Sequence, residues 1–154
     1  MHNWLQKMSQ KISTLALTKH QKAIWIESKI HPNTAVFNIG TYIKIEGEID
    51  AVILSKAISK VIIENDGLRL QVKNNKTSAE QYFEKKSSIL LQHISFEKEE
   101  EAINWMKSDF VTATNINDKE LFQIVLVQFS GQDYFLYFKY HHICIDGWSR
   151  ALLV

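Results

Sequence analysis

The stretch "LFQIVLVQFSGQDYFLYFKYHH", residues 121–142, constrains the fold more than any other part of the chain. Two runs rich in β-branched and aromatic residues flank "SGQD", a turn signal, and this pattern predicts a β-hairpin. Side chains two positions apart share a strand face, so Tyr134, Leu136, Phe138 and Tyr140 fall on the side of His142, whereas His141 points to the other. The four apolar positions read as sheet core beneath whatever the second histidine does.

Upstream, "TKHQKAIWIESKI" places Gln21, Ile24, Trp25 and Ser28 on one side of a helix. Thr18 is its N-cap, and Pro32 ends it by disfavouring helical geometry at the residue before. "VFNIGTYIKIEGEI" alternates as a strand that Gly47 stops, with Ile39, Thr41, Ile43 and Ile45 on one face. "DAVILSKAISKVIIEN" opens with the N-cap Asp50 and sets Ile53, Leu54, Ala57, Ile58, Val61 and Ile62 on one stripe, which predicts a helix facing the core. "GLRLQVK" and "AEQYFEK" read as strands joined by "NNKTS", and "SILLQHISF" as a further strand. "EKEEEAINWMKSDFVTAT" reads as a third helix, with acidic residues at its positive end and Ala102, Ile103, Met106 and Phe110 inward.

Interleaved helices and strands give the class α/β, a mixed sheet with helices on one side. The first sixteen residues read as a lead-in or docking segment, and residues 17–154 as the folded unit. The closing "GWSRALLV", with Trp148, Leu152 and Val154 seeking cover, reads as a helix cut short.

A chain of 154 residues with 45% apolar and 23% charged residues suits one domain or part of a larger one. Its net charge of +1 creates no field to gather nucleic acid or an anionic membrane. No apolar run approaches the roughly 20 residues of a membrane span. The single cysteine, Cys144, allows no internal disulfide, and the N-terminus lacks the apolar stretch of a signal peptide, so a cytoplasmic location is expected.

Chemistry concentrates in "HHICIDGWSR", residues 141–150. Because His141 and His142 point to opposite faces they do not share an ion easily. His142 with Asp146 still lacks a third ligand at a helpful spacing, so no metal is expected. A pair of satisfied polar residues at a strand end is one reading. The other is a base: a strand ending in His, then a short loop, Asp, Gly and a new helix, lifts a side chain from a sheet edge into a cleft. An ordinary imidazole, with pKa about 6.5, is available there in neutral form. Cys144 reads as a small buried apolar residue, and Trp25 and Trp148 as core.

"YHHICIDGWS" resembles the "HHxxxDG" signature of the acyltransferase superfamily whose largest branch is the condensation domain of nonribosomal peptide synthetases. "LTKHQKAIW" is similar to that family's first motif through Thr18, Gln21 and Trp25. "IENDGLRLQV" is similar to its second through Leu68 and Arg69, with Asn65-Asp66 in place of the usual His-Glu and Val72 in place of the closing Phe. The resemblance implies a chloramphenicol acetyltransferase-like sandwich lobe, the N-terminal one of two, with the second lobe lying beyond this chain. It implies amide bond formation between a carrier-bound acyl or peptidyl thioester and the amine of a carrier-bound aminoacyl thioester. Carrier protein domains, the C-terminal lobe and downstream synthetase domains are then the partners. No cofactor is bound directly, since phosphopantetheine arrives on the carriers.

By the same resemblance His142 is catalytic, supported by His141, Asp146, Gly147 and Arg69. Asp146 and Arg69 would form a buried salt bridge, of the kind whose breaking costs about 3–5 kcal/mol. The Gly147 N–H would be an oxyanion donor. The starter type, which joins an acyl group to the first amino acid, is the subtype most resembled. Two alternatives stand beside this reading: an O- or N-acyltransferase using free acyl-CoA, and a noncatalytic lobe that binds a carrier protein or another subunit.

Overall fold

The computed structural model describes residues 13–85, 90–117 and 120–151. In chain order they form β1 (Leu15–Ala16), α1 (Lys19–Ile30), β2 (Asn38–Glu46), α2 (Ala51–Glu64), a 3-10 turn (Asp66–Arg69), β3 (Leu70–Asn74), β4 (Ala79–Phe83), β5 (Gln92–Ser95), α3 (Glu99–Phe110), β6 (Phe122–Phe129), β7 (Asp133–His141) and α4 (Gly147–Ala151). The hairpin forms as expected. β6 and β7 pair antiparallel from Phe122 opposite Tyr140 to Phe129 opposite Asp133. Their turn carries Ser130 at φ 49° and Gly131 at φ 85°, left-handed backbone that glycine adopts without steric cost.

β7 is the axis of a four-stranded sheet ordered β2-β7-β6-β5, in which β5 alone runs parallel to its neighbour. A smaller antiparallel sheet, β1-β4-β3, stands beside it. Every residue of β7 from Phe135 to His141 is buried, so both faces of the strand need cover. α3 supplies it on one face, setting Ala102 and Met106 on Val125, Val127, Phe135 and Tyr137. α2 supplies it on the other, with Leu54, Ile58 and Ile62 against Ile124, Leu126, Leu136, Phe138 and Tyr140. Helices thus cover two faces rather than the expected one. α1 packs Ile24 and Trp25 against Leu70 of the small sheet, and that core reaches Leu121 and Ile143.

Both helix starts follow their sequence signals. Thr18 and Gln21 form a reciprocal capping box, and the Asp50 carboxylate accepts from the N–H groups of Val52 and Ile53. The last turn of α3 sits directly on β2, because a Cβ on Gly40 would lie 2.7 Å from the Phe110 ring. Asn38 holds it there, donating from Nδ2 to the carbonyls of Phe110 and Thr112 at 2.7 and 2.8 Å.

Four expectations are corrected. Leu15 and Ala16 pair with Gln81 and Glu80, so the fold begins inside the supposed lead-in, whose residues 1–12 lie outside the described residues. On α2 only the Leu54, Ile58, Ile62 row packs against the sheet core; Ile53, Ala57 and Val61 belong to the neighbouring row and stay exposed, because one helix side is wider than the sheet surface it covers. The "GLR" of the predicted strand is the end of the 3-10 turn. Trp148 is 80% exposed and is not core, whereas Trp25 is buried as expected. Leu152 and Val154, assigned to the same helix as Trp148, lie outside the described residues. Among the described residues no helix is long and apolar enough to cross a membrane.

Candidate functional site

After β7 the chain turns through residues 142–146 in the corner between the two sheets. The alternation of "HHICIDG" explains its shape. Ile143 is 2% exposed and enters the core under α1, while Ile145 is 5% exposed and enters the core under α2. Cys144 between them touches both cores. Two anchored isoleucines leave His142 half-buried and Asp146 exposed. Backbone bonds extend the sheet into the turn: the His141 N–H donates to the Leu121 carbonyl at 2.7 Å and the His142 N–H to Phe37 at 2.8 Å.

The His142 ring places Nδ1 3.2 Å from the Ile145 carbonyl oxygen. A carbonyl only accepts, so Nδ1 carries the hydrogen and the lone pair of the neutral ring sits on Nε2. The turn therefore selects one tautomer, with Nε2 as the nitrogen able to take a proton. The ring of His20 lies edge-on to that of His142, with centroids 5.5 Å apart.

Residues of the first motif lock α1 onto this turn. Gln21 Oε1 accepts from the Thr18 N–H at 2.9 Å, while its Nε2 donates to Gln81 Oε1 at 2.9 Å and to the Ile143 carbonyl at 3.2 Å. Gln81 in turn donates to the Ala16 carbonyl at 3.0 Å. One amide thus ties α1, the small sheet and the turn together. The sequence marked Gln21 by motif but showed no task for it. Gln21→Leu keeps the bulk and leaves two acceptors and a donor unpaired, so it is expected to cost about 1–3 kcal/mol. At roughly 2–4 °C per kcal/mol this is visible as a lowered melting temperature.

The sequence profile of the condensation-domain family matches residues 11–154. This chain belongs to that family. It is 28% identical over 142 residues to a dimodular nonribosomal peptide synthase of Bacillus subtilis, covering 90% of this chain and 6% of that protein. Vanchrobactin synthetase VabF of Vibrio anguillarum is 28% identical over 138 residues, covering 84% of this chain and 5% of that protein. Among solved structures, the starter condensation domain of rhizomide synthetase RzmA superposes with a TM-score of 0.84 at 29% identity, over 92% of this chain and 35% of that one. The first condensation domain of the calcium-dependent antibiotic synthetase, solved with a substrate analogue, gives 0.80 at 25% identity over 91% and 35%. The chain thus spans about a third of the solved chains and a few per cent of the synthetases. Its α/β architecture is that of the condensation-domain fold.

Within this condensation-domain chain, the salt bridge expected between Arg69 and Asp146 is not formed. The 3-10 turn puts Asp66 three residues before Arg69, and Arg69 pairs with it through Nη2 while Nη1 donates to the Glu84 carbonyl. Arg69 Nε is buried without a hydrogen-bond partner among the described residues. Asp146 instead stands in the N-cap position of α4 and accepts from the Ser149 N–H at 2.7 Å. Hydrogen bonds from Ser149 hold its carboxyl below the usual range. The loss of 3–5 kcal/mol tied to a buried pair does not apply to this exposed carboxylate. Gly147 has ordinary φ, and a Cβ there would meet nothing within 4 Å. The second motif still abuts the turn, since a Cβ on Gly67 would lie 3.0 Å from the Cys144 carbonyl oxygen.

His141 closes β7 as a buried residue. It is 2% exposed, its Nδ1 accepts from the Ile143 N–H at 3.2 Å, and its ring lies 5.7 Å from that of Phe37. Burial first, and the nearby His142 second, lower its pKa to about 4. As pH falls through about 6.5 the unfolded chain protonates this residue while the folded chain resists until about pH 4. Its contribution to stability is therefore complete above pH 6.5, and roughly 3 kcal/mol is lost on descending to pH 4. A urea midpoint that falls across this window, and falls less steeply in His141→Gln, is the expected result. The Cys144 thiol donates to the His141 carbonyl at 3.0 Å, and burial pushes its pKa up to about 12, so it is a packing residue and not a nucleophile.

Proposed function

We propose that this chain is the N-terminal lobe of a condensation domain that forms an amide between an acyl thioester and an amine, with His142 at the reaction centre. The observation that carries the reading is the Nδ1 bond to Ile145, which leaves the lone pair on Nε2 of a half-buried ring. In the step proposed, the acceptor nitrogen attacks the thioester carbonyl and gives a proton to Nε2. The tetrahedral intermediate then loses the thiolate as the C–S bond breaks, and the proton passes to sulfur. Asp146 caps the helix that follows, His141 anchors the strand end, and the Gly147 N–H is the donor assigned to the oxyanion. Arg69 is assigned a supporting role in the 3-10 turn, which abuts the turn of His142 at Gly67.

Carrier proteins bearing phosphopantetheine are the partners assigned, together with a second lobe. Two features support a starter-type role with an acyl donor. The rhizomide starter domain is among the structures matched, and a variant of it with an arginine replaced has been solved with C8-CoA. Its structurally characterised variants replace a histidine and an arginine eight positions apart, the spacing of His142 and Arg150 here. Arg150 therefore joins the site residues, a position that strand alternation and the three motifs do not mark.

The test is acyl transfer by this chain joined to the remainder of its domain, with an acyl thioester and an amine acceptor. Amide product from the joined protein is expected. Binding of a carrier protein without turnover would favour the noncatalytic reading.

A further inference from the structure

In the first turn of α1, His20 is the residue whose ring meets that of His142, while Thr18 caps and Gln21 bridges. It lies between them, is exposed, and sets its ring 5.5 Å from that of His142 with the planes at 65°. Its backbone is held on both sides. The capping box fixes the start of α1, and the Gln21 bond to the Ile143 carbonyl fixes that start against the residue that follows His142.

We propose that His20 is a positioning residue for His142. The partial positive edge of one imidazole against the face of the other is an attractive arrangement for aromatic rings, and it opposes rotation of the His142 side chain. A single hydrogen bond at 3.2 Å holds Nδ1 on Ile145. The His20 ring adds a second contact that opposes rotation about it. Together the two contacts keep the hydrogen on Nδ1 and the lone pair on Nε2, which is the state a base requires. This role rests on the reading of His142 as the reacting residue, while the contact itself is a property of this chain.

The test reads the ring directly. The chain is labelled with 15N-histidine and the two nitrogens of His142 are followed by NMR at about pH 8.5, where ordinary imidazoles are neutral. In the unaltered chain, Nδ1 is expected to show as protonated and Nε2 as unprotonated. His20→Phe keeps a flat ring in place and is expected to preserve that pattern. His20→Ala removes the ring and is expected to move the ratio of the two tautomers toward Nε2–H by about two- to tenfold, the range of such ring contacts. An unchanged ratio in His20→Ala overturns the proposal, and so does a loss in His20→Phe equal to that in His20→Ala. Either outcome leaves the acyl-transfer reading standing. Conversely, an inactive joined domain with the tautomer pattern intact sinks that reading and not this one.

Discussion

Asp109→Ala is expected to destabilise the fold by about 3–5 kcal/mol, the largest loss from any single substitution argued for this chain. The carboxylate lies in the last turn of α3, where its charge opposes the negative end of the helix, so helix formation alone gives no reason for it. Its reason lies in the sheet. Asp109 Oδ2 accepts from Lys139 Nζ at 2.8 Å, from the Tyr137 hydroxyl at 2.9 Å and from Gln123 Nε2 at 2.6 Å. Lys139 Nζ also donates to the Asp109 carbonyl at 3.0 Å, and its side chain is only 8% exposed. Burial, and then the neighbouring Asp109 charge, raise the Tyr137 phenol far above its ordinary range, which fixes it as a donor.

Alanine at 109 leaves the Lys139 ammonium with the carbonyl of residue 109 but without its counter-charge, and leaves a hydroxyl and an amide unpaired. At roughly 2–4 °C per kcal/mol the melting temperature should fall by about 6–20 °C. Adding Lys139→Met removes the stranded charge and should recover part of the loss. A double variant as unstable as the single one would show that the charge is not the cause.

That network also marks where the sequence stops being legible. Strand β7 was readable because its apolar run is flanked by a turn signal, and the faces assigned to Tyr134, Leu136, Phe138 and Tyr140 agree with the core they enter. Lys139 in the same run carries no mark of burial in the sequence, and which of the chain's 17 acidic residues pairs with it depends on how α3 crosses the sheet, about which periodicity carries no information. α2 shows the same limit. Its six apolar positions fix a side of the helix but not how much of that side the sheet covers, so Ile53, Ala57 and Val61 share the stripe without reaching the core.

The candidate site divides along the same line. The packing of Cys144 follows from residue type, and that is local; His142 lies one residue past the end of β7, in the turn, so strand alternation no longer governs where its ring goes. Thr18 and Asp50 were legible as caps because a cap is satisfied within three residues. The bond from Gln21 to Ile143 joins positions 122 apart, and only the folded chain brings them together. The assignment of Asp146 to Arg69 failed for the opposite reason. Each of these residues has a partner three positions away, Ser149 and Asp66, and both local pairings are made.

His142→Ala in the joined domain should lower kcat unequally for different acceptors. A positioned base contributes about 10²- to 10⁴-fold. An α-amino group has a pKa of about 7.7–8.0, so a usable fraction is already neutral near pH 7 and the base has little to remove before attack. For an amine acceptor the loss should therefore lie near the hundredfold end, most of what remains coming from the placement of nucleophile and thioester. A hydroxyl acceptor must give up its proton as it attacks, and its loss should lie near the upper end. Fold damage is separable from this effect, since the substitution gives up one backbone-directed hydrogen bond, worth about 0.5–1.5 kcal/mol, and the ring contact with His20. Melting should thus move by only a few degrees while the rate falls by orders of magnitude. A larger loss with the amine than with the hydroxyl would refute proton removal as the main task of His142 and leave it as a residue that orients the acceptor.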